Sequence, residues 1–166
     1  MTAELTFSPD MFRIFARIVM HRLLILYAPD NEEARNSTAA VASSFEQTDL
    51  DVVAIAAQKA QFNDVLAADI SLYYSAVSDA ALLHSDFAEI ERALGGVNLA
   101  GKMSGLISLG GSKAPRLFRR ALKDSNVFIF DEDLELESGT ADRDKISMWS
   151  ERLYRKFKEG IHAAEL

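Results

Sequence analysis

A single doubly wound α/β domain on a five-stranded parallel sheet is the fold class this sequence predicts, and three observations predict it. Short apolar runs recur along the chain, each closed by glycine, proline or asparagine. Between them lie stretches with apolar residues at helical spacing. Met103 to Glu137 reads as one complete unit of strand, glycine turn, helix and strand, which belongs in a parallel sheet covered by helices.

Composition sets the bounds. At 166 residues and 49% hydrophobic, the chain is long enough for one well-buried domain, expected over residues 21–162 behind an N-terminal extension or helix at 1–20. A net charge of −7 argues against nucleic acid and favours steering toward a basic partner. With no cysteine there is no disulfide, thiolate metal site or cysteine nucleophile. His21, His84 and His162 show no ligand spacing, so no metal site is expected.

Taken in order, Ser8-Pro9-Asp10 reads as a helix start, and the apolar run after it is broken by Arg13, Arg17, His21 and Arg22. A membrane span needs about 20 largely uncharged residues, so this is not one, and a cytoplasmic protein is expected. Phe12, Phe15, Ile18 and Val19 share a helical face, which suits packing on the domain edge or docking of residues 9–20 on a partner or membrane surface.

Leu23 to Tyr27 is the first predicted strand, broken by Ala28-Pro29-Asp30-Asn31. A loop, EEARN, then leads to a helix over about Ser37 to Phe45. Asp51 to Ala56 is the second strand, Gln58 to Asn63 a polar connector, and Asp69 to Tyr74 the third strand. A helix from about Ser85 to Leu94 ends at Gly95-Gly96, as helices commonly do. Met103 to Leu109 is a buried strand closed by Gly110-Gly111, and Pro115 suits the first turn of the helix that follows. Val127 to Phe130 gives the last strand, continued by Leu134 and Leu136. A helix over about Asp142 to His162 places Ile146, Trp149, Leu153, Phe157 and Ile161 on one face.

The run HSDFAEIERALGGVNLAGKMSGLISLGG resembles the flavodoxin pattern, in which a helix with Asp86-Phe87 leads through Leu99-Ala100-Gly101-Lys102 into the fourth strand. The segment ALKDSNVFIFDEDLELESGTADRDKISMWSERL is similar to the flavodoxin end, with Trp149 on the last helix. The resemblance covers about Arg22 to Phe157 and implies a flavodoxin-like fold. It further implies flavin mononucleotide (FMN) held noncovalently, single-electron transfer and a basic redox partner.

Family phosphate loops are rich in hydroxyls and end glycine-asparagine-threonine at a helix N-terminus. Asn36, Ser37 and Thr38 stand for that ending here, after a lengthened loop carrying Asp30, Glu32 and Glu33. The ring would be wrapped by Ser75, Ala76, Val77 and Ser78 and by Gly110, Gly111 and Ser112. Val77 and Ala114 fall where the family places its flanking aromatics.

Lys113, Arg116, Arg119 and Arg120 form a basic group beside the glycine turn, either a solvated face or an anion or partner site. Asp131, Glu132 and Asp133 alternate in direction and read as a solvated edge rather than a cation site. Ser75, Ser78 and His84 lack a nucleophile elbow. Two readings stay open: an FMN electron carrier, from which a flavin-dependent reductase is not separable, and a flavin-free interaction or regulatory module with a degenerate cofactor site.

Overall fold

The computed structural model describes residues 20–76, 85–137 and 142–164. The strands are β1 (His21–Ala28), β2 (Leu50–Ala56), β3 (Ile70–Ser75), β4 (Met103–Leu109), β5 (Phe128–Ile129) and β6 (Leu134–Leu136). The helices are α1 (Glu32–Ser43), α2 (Phe62–Ala67), α3 (Ala88–Leu94), α4 (Ala114–Leu122) and α5 (Arg143–Ala164). The N-terminal helix expected before His21 lies outside the described residues.

Every strand pairing is parallel, in the order β2-β1-β3-β4-β5, with β6 also on β4. This is the doubly wound order expected from the flavodoxin resemblance, and its direction reverses between β1 and β3. Strand alternation sends Leu23, Ile25, Leu72, Tyr74 and Ile107 to one face, where α1 and α5 supply Val41, Trp149 and Leu153. Leu24, Leu26, Tyr73 and Leu106 go to the other, under Val65 of α2, Phe87 just before α3 and Phe118 of α4. Burial on both faces explains why the central strands read as continuous apolar runs.

Gly105 is where β4 meets α5. A Cβ there would stand 2.8 Å from Leu153 Cδ1 and Leu72 Cδ2 and 3.1 Å from Trp149 Cη2, so close packing of α5 on the sheet requires glycine.

Three expectations change. The first helix begins at Glu32, not near Ser37, because Asn31 caps it: its Oδ1 accepts from the Ala34 N–H at 2.8 Å, and Glu32 and Glu33 follow in the first turn. The connector after β2 folds into a 3₁₀ turn, Ala57–Lys59, and then α2, where the Asp64 side chain accepts from the Gln61 backbone N–H at 2.8 Å.

The last strand is split at Asp131-Glu132-Asp133, and both pieces pair with β4. From one side Arg119 reaches Asp133 at 2.6 Å. From the other, Trp149 Nε1 donates to the Glu132 carbonyl at 2.8 Å and Arg152 pairs with the Glu132 carboxylate at 2.7 Å. Two of the three acidic side chains are therefore structural, as the solvated-edge reading does not require but allows.

Candidate functional site

Parallel register brings Ala28, Ser75 and Ser108 side by side at the carboxyl edge of the sheet. The Ala76 N–H donates to the Ala28 carbonyl at 3.0 Å, tying β3 to β1 where the strand order reverses. Ligands of open α/β sheets bind at such a switch point. Among the described residues the edge is bordered by the Pro29–Asn31 connection and the Gly110–Lys113 turn.

The first connection is short and acidic. Asp30 accepts from Lys59 Nζ at 2.7 Å and from Arg35 Nε at 3.0 Å, and these two partners, Lys59 first, hold its carboxyl below the usual carboxylate range. Both cations are thereby occupied by a neighbouring carboxylate. The N-terminus of α1 is spanned by the Asn31 side chain and carries Glu32 and Glu33.

Asn36, Ser37 and Thr38 stand inside α1, one turn beyond its start. Thr38 is buried and its hydroxyl donates back to the Ala34 carbonyl at 2.8 Å, with the Arg35 carbonyl at 3.1 Å. Asn36 is exposed and borders a groove shared with Arg143 and Ser147 of α5. Ser37 lies beside the Tyr74 hydroxyl without completing a hydrogen bond to it. Burial pushes the Tyr74 phenol upward, Ser37 pulls it back and the Glu33 charge adds to the rise.

A phosphate does not fit this donor set. At about 5 Å, one carboxylate repels one phosphate charge by roughly 1–3 kcal/mol, depending on solvent screening. A charged-group hydrogen bond returns about 1.5–3 kcal/mol, so Glu32 and Glu33 stand against what the remaining N–H groups could supply, while the Asp30 charge is already balanced by Lys59 and Arg35.

The opposite border is different. Gly110 and Gly111 take left-handed conformations, φ +67° and +73°, with open space over both. Ser112 Oγ accepts from the Ala114 N–H at 3.1 Å, starting α4. Ala114, at the expected aromatic position, is buried in the first turn of α4 and presents no ring. Tyr73 and Tyr74 are both fully buried, on opposite faces of β3, so neither is offered to a flavin. Ser75 and Ala76 reach the edge, with Ser75 fully buried, whereas Val77, Ser78 and His84 lie outside the described residues.

The predicted basic group divides. Arg119 is committed to Asp133, while Lys113, Arg116 and Arg120 are exposed. Lys123, also exposed, continues their line, which sequence reading missed although the i, i+3, i+7, i+10 spacing carries it. Asn31 was the other missed residue, and an asparagine followed by two glutamates was the available signal. Among the described residues no cluster of three or more metal-ligating side chains occurs, and no helix is long and apolar enough to cross a membrane.

No family model and no curated protein matches the chain. Solved structures do. A short-chain flavodoxin associated with a non-canonical PDU bacterial microcompartment superposes with a TM-score of 0.71 at 18% identity, covering 83% of this chain and 99% of that one. Oxidised flavodoxin 2 from Bacillus cereus gives 0.70 at 19% identity, covering 81% and 99%. A Fusobacterium nucleatum flavodoxin bound to flavin mononucleotide gives 0.65 at 12% identity, covering 83% and 99%. The likeness is one of fold.

Proposed function

We propose that this flavodoxin-fold chain works without flavin mononucleotide, as an interaction module whose docking face is the basic strip of α4. The observation that carries the reading is the start of α1: Asn31 takes the Ala34 N–H from within, and Glu32 and Glu33 occupy the first turn. The fold supports a binding role at its carboxyl edge, but fold and site are separable, and here the phosphate end has the wrong charge.

Lys113, Arg116, Arg120 and Lys123 supply the contrasting surface. They are exposed along α4 from its N-cap, Lys113, to its C-cap, Lys123, in a chain whose net charge is −7. Such a strip steers an acidic partner segment, with a rate that falls as salt rises. Polyglutamate is the probe. Wild-type protein is expected to bind it with steep salt dependence, and the Arg116→Glu, Arg120→Glu double variant to lose that binding. Equal binding by both proteins would remove the strip from the account.

The electron-carrier reading rests on a different observation, the Gly110-Gly111 turn, which keeps open space at the border where a flavin ring would be wrapped. Titration with FMN followed by flavin fluorescence separates the two. Saturable quenching favours the carrier; its absence favours the flavin-free module.

A further inference from the structure

On the face of the sheet opposite α1 and α5, a slot of about 20 Å³ opens between α3 and α4. Three aromatic rings meet at it. Phe87 and Phe118 stand edge to face at 4.8 Å between centroids, and Tyr73 of β3 lies 5.1 Å from Phe118 and 6.4 Å from Phe87. Ile90 and Leu94 of α3 and Leu117 and Ala121 of α4 complete an apolar wall, which half-buried Glu91 joins.

Tyr73 is the residue that does not suit this wall. It is fully buried, and its hydroxyl has no hydrogen-bond partner among the described residues. Burial pushes its phenol up, and Ser71, two residues earlier on the same face of β3, pulls it back without completing a hydrogen bond. The group is therefore a neutral donor. A buried hydroxyl left unpaired is costly, and phenylalanine would fill the same space without that cost.

The size and lining of the slot select the partner. A water needs roughly 10–15 Å³ of such space, so this slot holds one and excludes a molecule of many heavy atoms. An ion would lose its hydration against apolar walls, and an apolar gas atom would leave the phenol unpaired. A buried water takes about two to four polar neighbours, and Tyr73 and Ser71 begin that set.

We infer that the slot between α3 and α4 is a binding site for a single water molecule, which accepts from the Tyr73 hydroxyl and donates to Ser71. The water is then a fixed part of the packing of both helices on β3. It is independent of what the carboxyl edge or the basic strip of α4 binds.

Two measurements on the full chain test it. In a crystal structure at a resolution that shows ordered solvent, one peak is expected about 2.5–3.0 Å from Tyr73 Oη in wild type, and none there in Tyr73→Phe. The second is thermal unfolding of a cycle of variants. Tyr73→Phe alone should lower the midpoint by about 2–4 °C, because it removes a bonded hydroxyl. Ala121→Leu fills the slot from α4 and displaces the water, leaving the hydroxyl unpaired. Adding Tyr73→Phe to that variant should raise the midpoint instead.

Three results would overturn the inference. One is the absence of a peak beside Tyr73 Oη in wild type, whether or not the hydroxyl bonds Ser71 directly, or density of a larger molecule in its place. Another is a peak that remains in Tyr73→Phe. The third is a Tyr73→Phe shift of the same sign with and without Ala121→Leu; the diffraction result stands by itself if Ala121→Leu does not fold.

Discussion

The two connections that border the carboxyl edge of the sheet have fared differently. The Gly110–Lys113 turn keeps left-handed glycines and open space, with cations beyond it on α4. The Pro29–Asn31 connection is filled by its own chemistry: Asp30 gathers Lys59 and Arg35, and Asn31 takes the Ala34 N–H that the helix start would otherwise present to an anion. A binding edge is thus assembled connection by connection on a sheet indifferent to the outcome. Losing one connection leaves strand order, register and core untouched, because those depend on the two buried faces.

The largest effects should come from the core, where the comparison predicts loss of fold rather than of a site. Gly105→Val forces a branched side chain between Leu72, Leu153 and Trp149 and is expected to cost roughly 3 kcal/mol or more in denaturant unfolding. A neutral result would mean that α5 does not pack on β4 this closely. Gly111→Ala should cost about 1–2 kcal/mol through its positive φ, with no packing contribution, since the space over it is open. If it matched Gly105→Val, the turn would be less open than described.

The borders can be made more alike. Glu32→Ser with Glu33→Thr removes two carboxylates from the helix start, and is expected to raise affinity for FMN at least about ten-fold, or about 1.4 kcal/mol. Unchanged affinity would locate the obstacle elsewhere.

At the other end of the sheet, Asp49 accepts from Lys158 Nζ at 2.9 Å and from the Tyr154 hydroxyl at 2.7 Å, pinning α5 beside β2. Lys158 first, then Tyr154, holds the Asp49 carboxyl below its ordinary value of 3.8. Its stabilising contribution is therefore complete above that value and is lost as pH falls through the lowered one. Thermal unfolding between pH 6 and about pH 2 should lose less in Asp49→Asn than in wild type; identical curves would remove this clamp from the acid response.

The smallest effect is expected from Thr38→Ala. Its hydroxyl is committed to the helix backbone, so adding this change to the Glu32→Ser, Glu33→Thr variant should leave FMN affinity unchanged, and stability should shift by less than about 1 kcal/mol. A clear drop in flavin binding would reinstate Thr38 as a phosphate ligand.

Most of the fold was legible because it is written in apolar periodicity. Leu23 to Tyr27 and Met103 to Leu109 read as strands, and the face of Ile146, Trp149, Leu153 and Phe157 read as a helix; all are so placed. Boundaries set by a single polar contact were not legible. The first helix was placed five residues late because Asn31 looks like turn punctuation until its side chain is seen on the Ala34 N–H. That one contact also moved Asn36 from the expected loop, and Ser37 and Thr38 from the expected helix start, to the interior of α1. Nor could spacing show that Arg119 would be consumed by Asp133 while its neighbours stay exposed, since ion pairing across the sheet edge depends on where the strand breaks.

The most direct test of the central claim is titration of freshly purified full chain with flavin mononucleotide, read as flavin fluorescence and absorbance. With Glu32 and Glu33 in the first turn of a self-capped helix, no saturable binding is expected up to about 100 μM, which places any dissociation constant weaker than roughly 5.5 kcal/mol of binding. One-to-one saturation in the low micromolar range, with a shifted flavin spectrum, would contradict the account and restore the electron carrier.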